Sequence, residues 1–136
     1  MTMLKVKHLH LCDYAFLAER GKLSLIGIFE RILIKTAPAV ISPFHIVAVL
    51  TSESATQTEL EATITDPAGK VVFKGKGPVK LEAGKNFNFL LGIAGFRVEK
   101  PGTYTVRFVE KGNELVRSEV PVLIVSQAKT KRSTVH

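Results

Sequence analysis

Residues 57–65 read QTELEATIT, with Thr58, Leu60, Ala62 and Ile64 falling on one side and Glu59, Glu61 and Thr63 on the other. A period of two is what a strand imposes, because successive side chains leave opposite faces. One wet face and one apolar face mean a sheet lying over a core. The same period returns at 44–51 (Phe44, Ile46, Ala48, Leu50), at 86–93 (Phe87, Phe89, Leu91, Ile93) and at 103–110 (Tyr104, Val106, Phe108). No long stretch holds a period of 3.6, so the chain reads as strands throughout.

The links support this. Glu19-Arg20-Gly21-Lys22 is a tight turn in which Gly21 can take a positive φ. It joins a strand at 8–18 to one at 23–34, and so short a link makes them an antiparallel hairpin. Gly27 falls inside the second strand, where glycine marks a bulge or bend. Residues 36–43, TAPAVISP, carry two prolines and form a crossing loop. Asp66-Pro67-Ala68-Gly69 is a β-turn by composition. A short strand at 71–74 ends at GKGP. Lys111-Gly112-Asn113 closes a hairpin onto 115–125, where Pro121 calls for a strand edge. The sum is about eight strands and an all-β fold. We expect an antiparallel two-sheet β-sandwich, immunoglobulin-like or C2-like, formed as a single domain by residues 1–125. The polar, basic tail 126–136 is expected to be disordered.

At 136 residues the chain has the size of one domain and can bury a core without a metal or disulfide. Its one cysteine excludes an intramolecular disulfide framework and suits a reducing compartment. The start, MTMLKVKHLH, lacks the segments of a signal peptide. No apolar stretch reaches the ~18 residues of a membrane span. A cytoplasmic location and no membrane partner are therefore expected. The net charge is +7; Lys129, Lys131 and Arg132 of the tail account for three, which leaves +4 for residues 1–125. That excess is spread over many segments, as on a solvated surface.

The run LCDYAFLAERGKLSLIGIFERI at 11–32 resembles the N-terminal hairpin of a family of small uncharacterised bacterial proteins. There a DYA-like strand leads through GKLS, a glycine followed by two apolar residues, and (D/E)RI. HIVAVL at 45–50, DPAGK at 66–70 and PGTYTVRF at 101–108 match the family's general form. The resemblance implies a single β-sandwich domain of unknown function. It implies no catalytic motif and no cofactor.

Candidate sites are few. HLHLC at 8–12 sends His8, His10 and Cys12 to one face of a strand, and His45 could join them as zinc ligands. Against that, Tyr14 and Phe16 follow on the same face. Cys12 then reads as a small core residue and the histidines as rim. Asp13 shares its face with Leu9, Leu11, Ala15 and Leu17; a carboxylate there needs a partner, and Arg31 across the hairpin is the expected one. No GxSxG, HExxH or GxxxxGK[ST] is present, so no hydrolase or nucleotide site is expected. Sugar stacking needs exposed aromatics, whereas Tyr14 and Tyr104 fall in apolar alternation and read as buried. Lys74, Lys76, Lys80 and Lys85, with the tail, are the features that could attract nucleic acid.

One feature exceeds what a sandwich needs. The strand 23–34 is apolar on both faces: Leu23, Leu25, Phe29 and Leu33 on one, Ile26, Ile28, Ile32 and Ile34 on the other. Loop 36–43, sharing of the strand between two sheets, or a second subunit must cover it. The leading expectation is a non-catalytic interaction module. It would self-associate as a dimer through Ile26, Ile28, Phe29 and Ile32 and meet an unknown protein partner. A strand-borne metal site, with or without enzyme activity, and accessory nucleic-acid binding are the alternatives.

Overall fold

Eleven strands make up the chain between Leu4 and Val125, the residues that the computed structural model describes. They are β1 (Lys5–Ala18), β2 (Lys22–Phe29), β3 (Ile32–Ile34), β4 (Ala39–Val40), β5 (Phe44–Thr51), β6 (Thr56–Thr65), β7 (Val71–Leu81), β8 (Asn86–Ile93), β9 (Arg97–Val98), β10 (Gly102–Glu110) and β11 (Asn113–Ile124). The fold is all-β. Residues 126–136, and with them the expectation for the tail, lie outside the described residues.

The strands form a four-stranded sheet in the order β2-β1-β5-β8, a five-stranded sheet in the order β3-β11-β10-β6-β7, and the small pair β4-β9. Pairing is antiparallel except between β3 and β11, which run parallel. The alternation read from the sequence sets the core. Ile46, Ala48 and Leu50 of β5, Leu60 and Ala62 of β6, and Phe108 of β10 are all fully buried in one cluster that draws on both large sheets. Burying a side chain such as Phe108 contributes roughly 1.5–3 kcal/mol. Phe89 meets Phe108 edge to face with centroids 5.9 Å apart.

Three departures from expectation have physical causes. The strand expected at 23–34 is two strands: β2 stays with β1, the chain bends at Glu30–Arg31, and β3 joins the other sheet beside β11. The bend resets the alternation, so Phe29 and Ile34 both point to the core. GKGP does not stop β7, which pairs with β6 from Val71 to Leu81. β7 ends its sheet, and on an edge the amide that Pro78 lacks has no partner to lose. The small pair β4-β9 lifts the strand number above eight. Pro121 fits its place: pairing of β11 with β3 begins one residue later, at Val122.

Turn chemistry follows the sequence. The link from β1 to β2 holds Arg20 and Gly21 at φ 64° and 72°. In the 66–69 turn, Asp66 Oδ1 accepts hydrogen bonds from the amides of Ala68 (3.0 Å) and Lys70 (2.8 Å).

Candidate functional site

The hairpin β1–β2 outruns its sheet. β5 accompanies β1 only as far as Cys12, opposite His45. From Tyr14 to Ala18, β1 pairs with β2 alone, in the register Tyr14↔Ile26, Phe16↔Ser24, Ala18↔Lys22. From the Cys12–Ile28 rung onward the hairpin packs Ala15, Leu23 and Leu25 against Cys12 and Val47 but keeps other apolar side chains in water. Tyr14 is 53% exposed, Leu17 53%, Ile26 56% and Ile28 55%. Tyr14 is thus exposed rather than buried, because no third strand flanks it. It still stacks: its ring meets Phe16 at 5.7 Å and His45 edge-on at 5.3 Å.

Of the four interface residues expected from the sequence, Ile26 and Ile28 lie on this open surface, paired with Tyr14 and Cys12. Phe29 and Ile32 do not. Phe29 packs edge-on against Phe44 at 5.9 Å, and Ile32 sits beside Val122 in the second sheet. The bend at Glu30–Arg31 turns this part of the chain inward.

The opening histidines do not converge with the other candidates. A register shift between Val6 and His8 sets His8 opposite Val49 and His10 opposite Val47, leaving His45 opposite Cys12. His8 and His10 stack with ring centroids 6.2 Å apart. Among the described residues no group of three or more His, Cys, Asp or Glu side chains is placed to hold a metal ion. Cys12 is fully buried, and burial, followed by the nearby charge of Asp13, pushes its thiol pKa up, away from the thiolate a metal needs. His45 Nδ1 is buried without a hydrogen-bond partner. So is Oε2 of Glu110, which extends the inward row of Tyr104, Val106 and Phe108. Alternation alone places Glu110 there, but nothing in the sequence distinguishes it from a strand-end carboxylate.

Asp13 and Arg31 form no ion pair. Asp13 sits at the start of the overhanging part of the hairpin, where it is exposed to water and needs no buried partner. Arg31 lies in the bend, so hairpin register does not aim it. Both line a cleft of about 480 Å³ with Phe29, Ile34, Ile41 and Phe44. The Asp13 carboxylate lies instead over Gly27: a Cβ built there would come 2.3 Å from Oδ2. Gly27 has φ 70°, so both conformation and space require glycine.

Of the four lysines singled out in the sequence, Lys74, Lys76 and Lys85 each lie near a carboxylate, while Lys80 is in no ion pair among the described residues. Lys74 meets Glu61 and Lys76 meets Glu59, each at 3.8 Å and diagonally across the β6–β7 ladder, and Lys85 meets Glu82 at 3.5 Å. On β11, Glu114 accepts hydrogen bonds from Arg117 at 2.9 and 3.0 Å and pairs with Arg107 at 3.1 Å. The Arg117 hydrogen bond, above all, holds the Glu114 carboxyl below its usual pKa. No helix among the described residues is long and apolar enough to cross a membrane.

The fold recurs inside larger proteins. The chain is similar to part of a β-glucosidase from Listeria innocua, solved with isofagomine (TM-score 0.56, 14% identity, 93% of this chain and 16% of that one). It is similar to part of the alkylpurine DNA glycosylase AlkC of Pseudomonas fluorescens, bound to DNA containing an abasic site analog (TM-score 0.56, 14% identity, 89% and 30%). A Bifidobacterium adolescentis GH3 β-glucosidase matches with TM-score 0.52 at 13% identity, over 89% and 17%. The chain thus spans less than a third of each, and at these identities the likeness is one of fold alone. None of the curated proteins matches. A family model matches residues 7–123, the hairpin and both large sheets included, and the chain belongs to that family of unknown function, DUF6941.

Proposed function

We propose that the chain is a non-catalytic, two-layer β-sandwich module whose role is association, beginning with a second copy of itself. The observation that carries this is the overhanging hairpin, with Tyr14, Leu17, Ile26 and Ile28 each more than half exposed. Apolar side chains left uncovered by the described residues mark interaction surfaces. The sandwich is supported by the main core, which draws on both large sheets, while Cys12, Ala15 and Val47 form a second, smaller cluster. Its immunoglobulin-like character is supported by Tyr104, near the start of β10, whose hydroxyl donates to the Lys100 carbonyl at 2.9 Å in the manner of a tyrosine corner. A bacterial, cytoplasmic protein suits the lone buried cysteine and the family resemblance.

Light scattering at micromolar concentration tests the reading: a mass of about two chains is expected. Ile28→Lys should return the protein to one chain mass and leave the monomer's stability within about 0.5 kcal/mol, since the side chain is exposed. A single-chain mass for the unaltered protein contradicts the proposal.

A further inference from the structure

The outer side of β2 is one edge of the four-stranded sheet, and no loop amide or carbonyl among the described residues bonds to residues 22–29 from that side. Long apolar edges are templates for another strand, and β2 reads KLSLIGIF. Its only charges stand at its ends. Lys22 opens the strand and Glu30 follows it; both are exposed, and neither forms an ion pair within 4 Å among the described residues. The positive φ of Gly27 does not put the strand out of step: Leu11↔Phe29 and Ala15↔Leu25 keep one register across it. Ile26 and Ile28 both stand in water on this strand.

These features make the edge complementary to itself. A second β2 laid antiparallel about a twofold through Ile26 sets Ile26 on its counterpart and Ile28 opposite Ser24. It also brings Lys22 opposite Glu30 twice, once at each end. Moving the twofold by one residue, to Leu25 or Gly27, sets Lys22 opposite Ile28 or Ile32 and loses both charge pairs. We propose that two copies of this chain join through β2 in this register, so that two four-stranded sheets become one continuous sheet across the molecular twofold. The inference rests on the self-association proposed above and adds its mode: edge to edge, centred on Ile26.

Two measurements on the full chain test it. Ile26→Cys, treated with oxidised glutathione, should cross-link to itself, because only a residue on the twofold meets its own copy; buried Cys12 does not compete. Lys22→Glu and Glu30→Lys should each raise the dimer dissociation constant about tenfold, two ion pairs being turned into repulsions, and the double reversal should restore it to within about threefold. Both charges stand in water at the strand ends, so circular dichroism of the variants should match the unaltered protein. A dimer that neither cross-links at residue 26 nor responds to the charge reversals overturns this register while leaving self-association intact. A protein that stays monomeric at micromolar concentration overturns both.

Discussion

The two large sheets end in very different edges. The five-stranded sheet ends in β7, whose sequence VVFKGKGPVKL mixes lysines, glycines and Pro78 into the strand. Its lysines reach back to Glu59 and Glu61 on the neighbouring strand, and the rings of Phe73 and Phe89 lie against Gly75 and Gly77. Each feature makes the edge a poor partner for another strand. The four-stranded sheet ends in β2, which has no proline, no charge between its ends, and Ile26 and Ile28 standing in water. The chain therefore protects the β7 edge and leaves the β2 edge open. An unprotected edge of this kind is a hazard unless it has an occupant, and that contrast underlies the proposed association.

The largest effect that separates the edges concerns their glycines. At Gly27, any larger residue meets the Asp13 carboxylate and a φ of 70° together. Gly27→Val should cost about 2–4 kcal/mol in urea unfolding, and about 1–2 kcal/mol in an Asp13→Ala background, where only the backbone strain remains. At Gly75, φ is not positive and the nearest atom to an added Cβ is the Phe73 ring at 3.1 Å. Gly75→Ala should therefore cost less than about 1 kcal/mol. Equal costs at the two sites would break the contrast. A smaller effect is expected from the lysines: Lys74→Gln and Lys76→Gln should each change stability by less than about 0.5 kcal/mol, because these ion pairs are largely exposed. They should leave the oligomeric state unchanged.

What could be read in advance follows from how local each signal is. The inward rows of β5, β6, β8 and β10 were legible because alternation is a property of a few consecutive residues. The division of 23–34 into β2 and β3 was not, since both segments are equally apolar and the change of sheet at Glu30–Arg31 is a long-range matter. Sharing of that segment between two sheets accounts for Phe29, Ile32 and Ile34 but leaves Ile26 and Ile28 open. GKGP looked like a break because sequence does not tell an edge strand, which tolerates proline, from a central one. Asp13 and Arg31 looked like partners because the hairpin's overhang, which lets Asp13 stay in water, depends on where β5 stops.

Amide hydrogen exchange, followed residue by residue at rising protein concentration, tests the central claim most directly. Pairing through β2 predicts that amides within residues 22–30 gain protection as concentration passes the dissociation constant, while those of β7 do not change. Constant exchange in β2 across the concentrations at which the mass doubles, or new protection in β7, would contradict it.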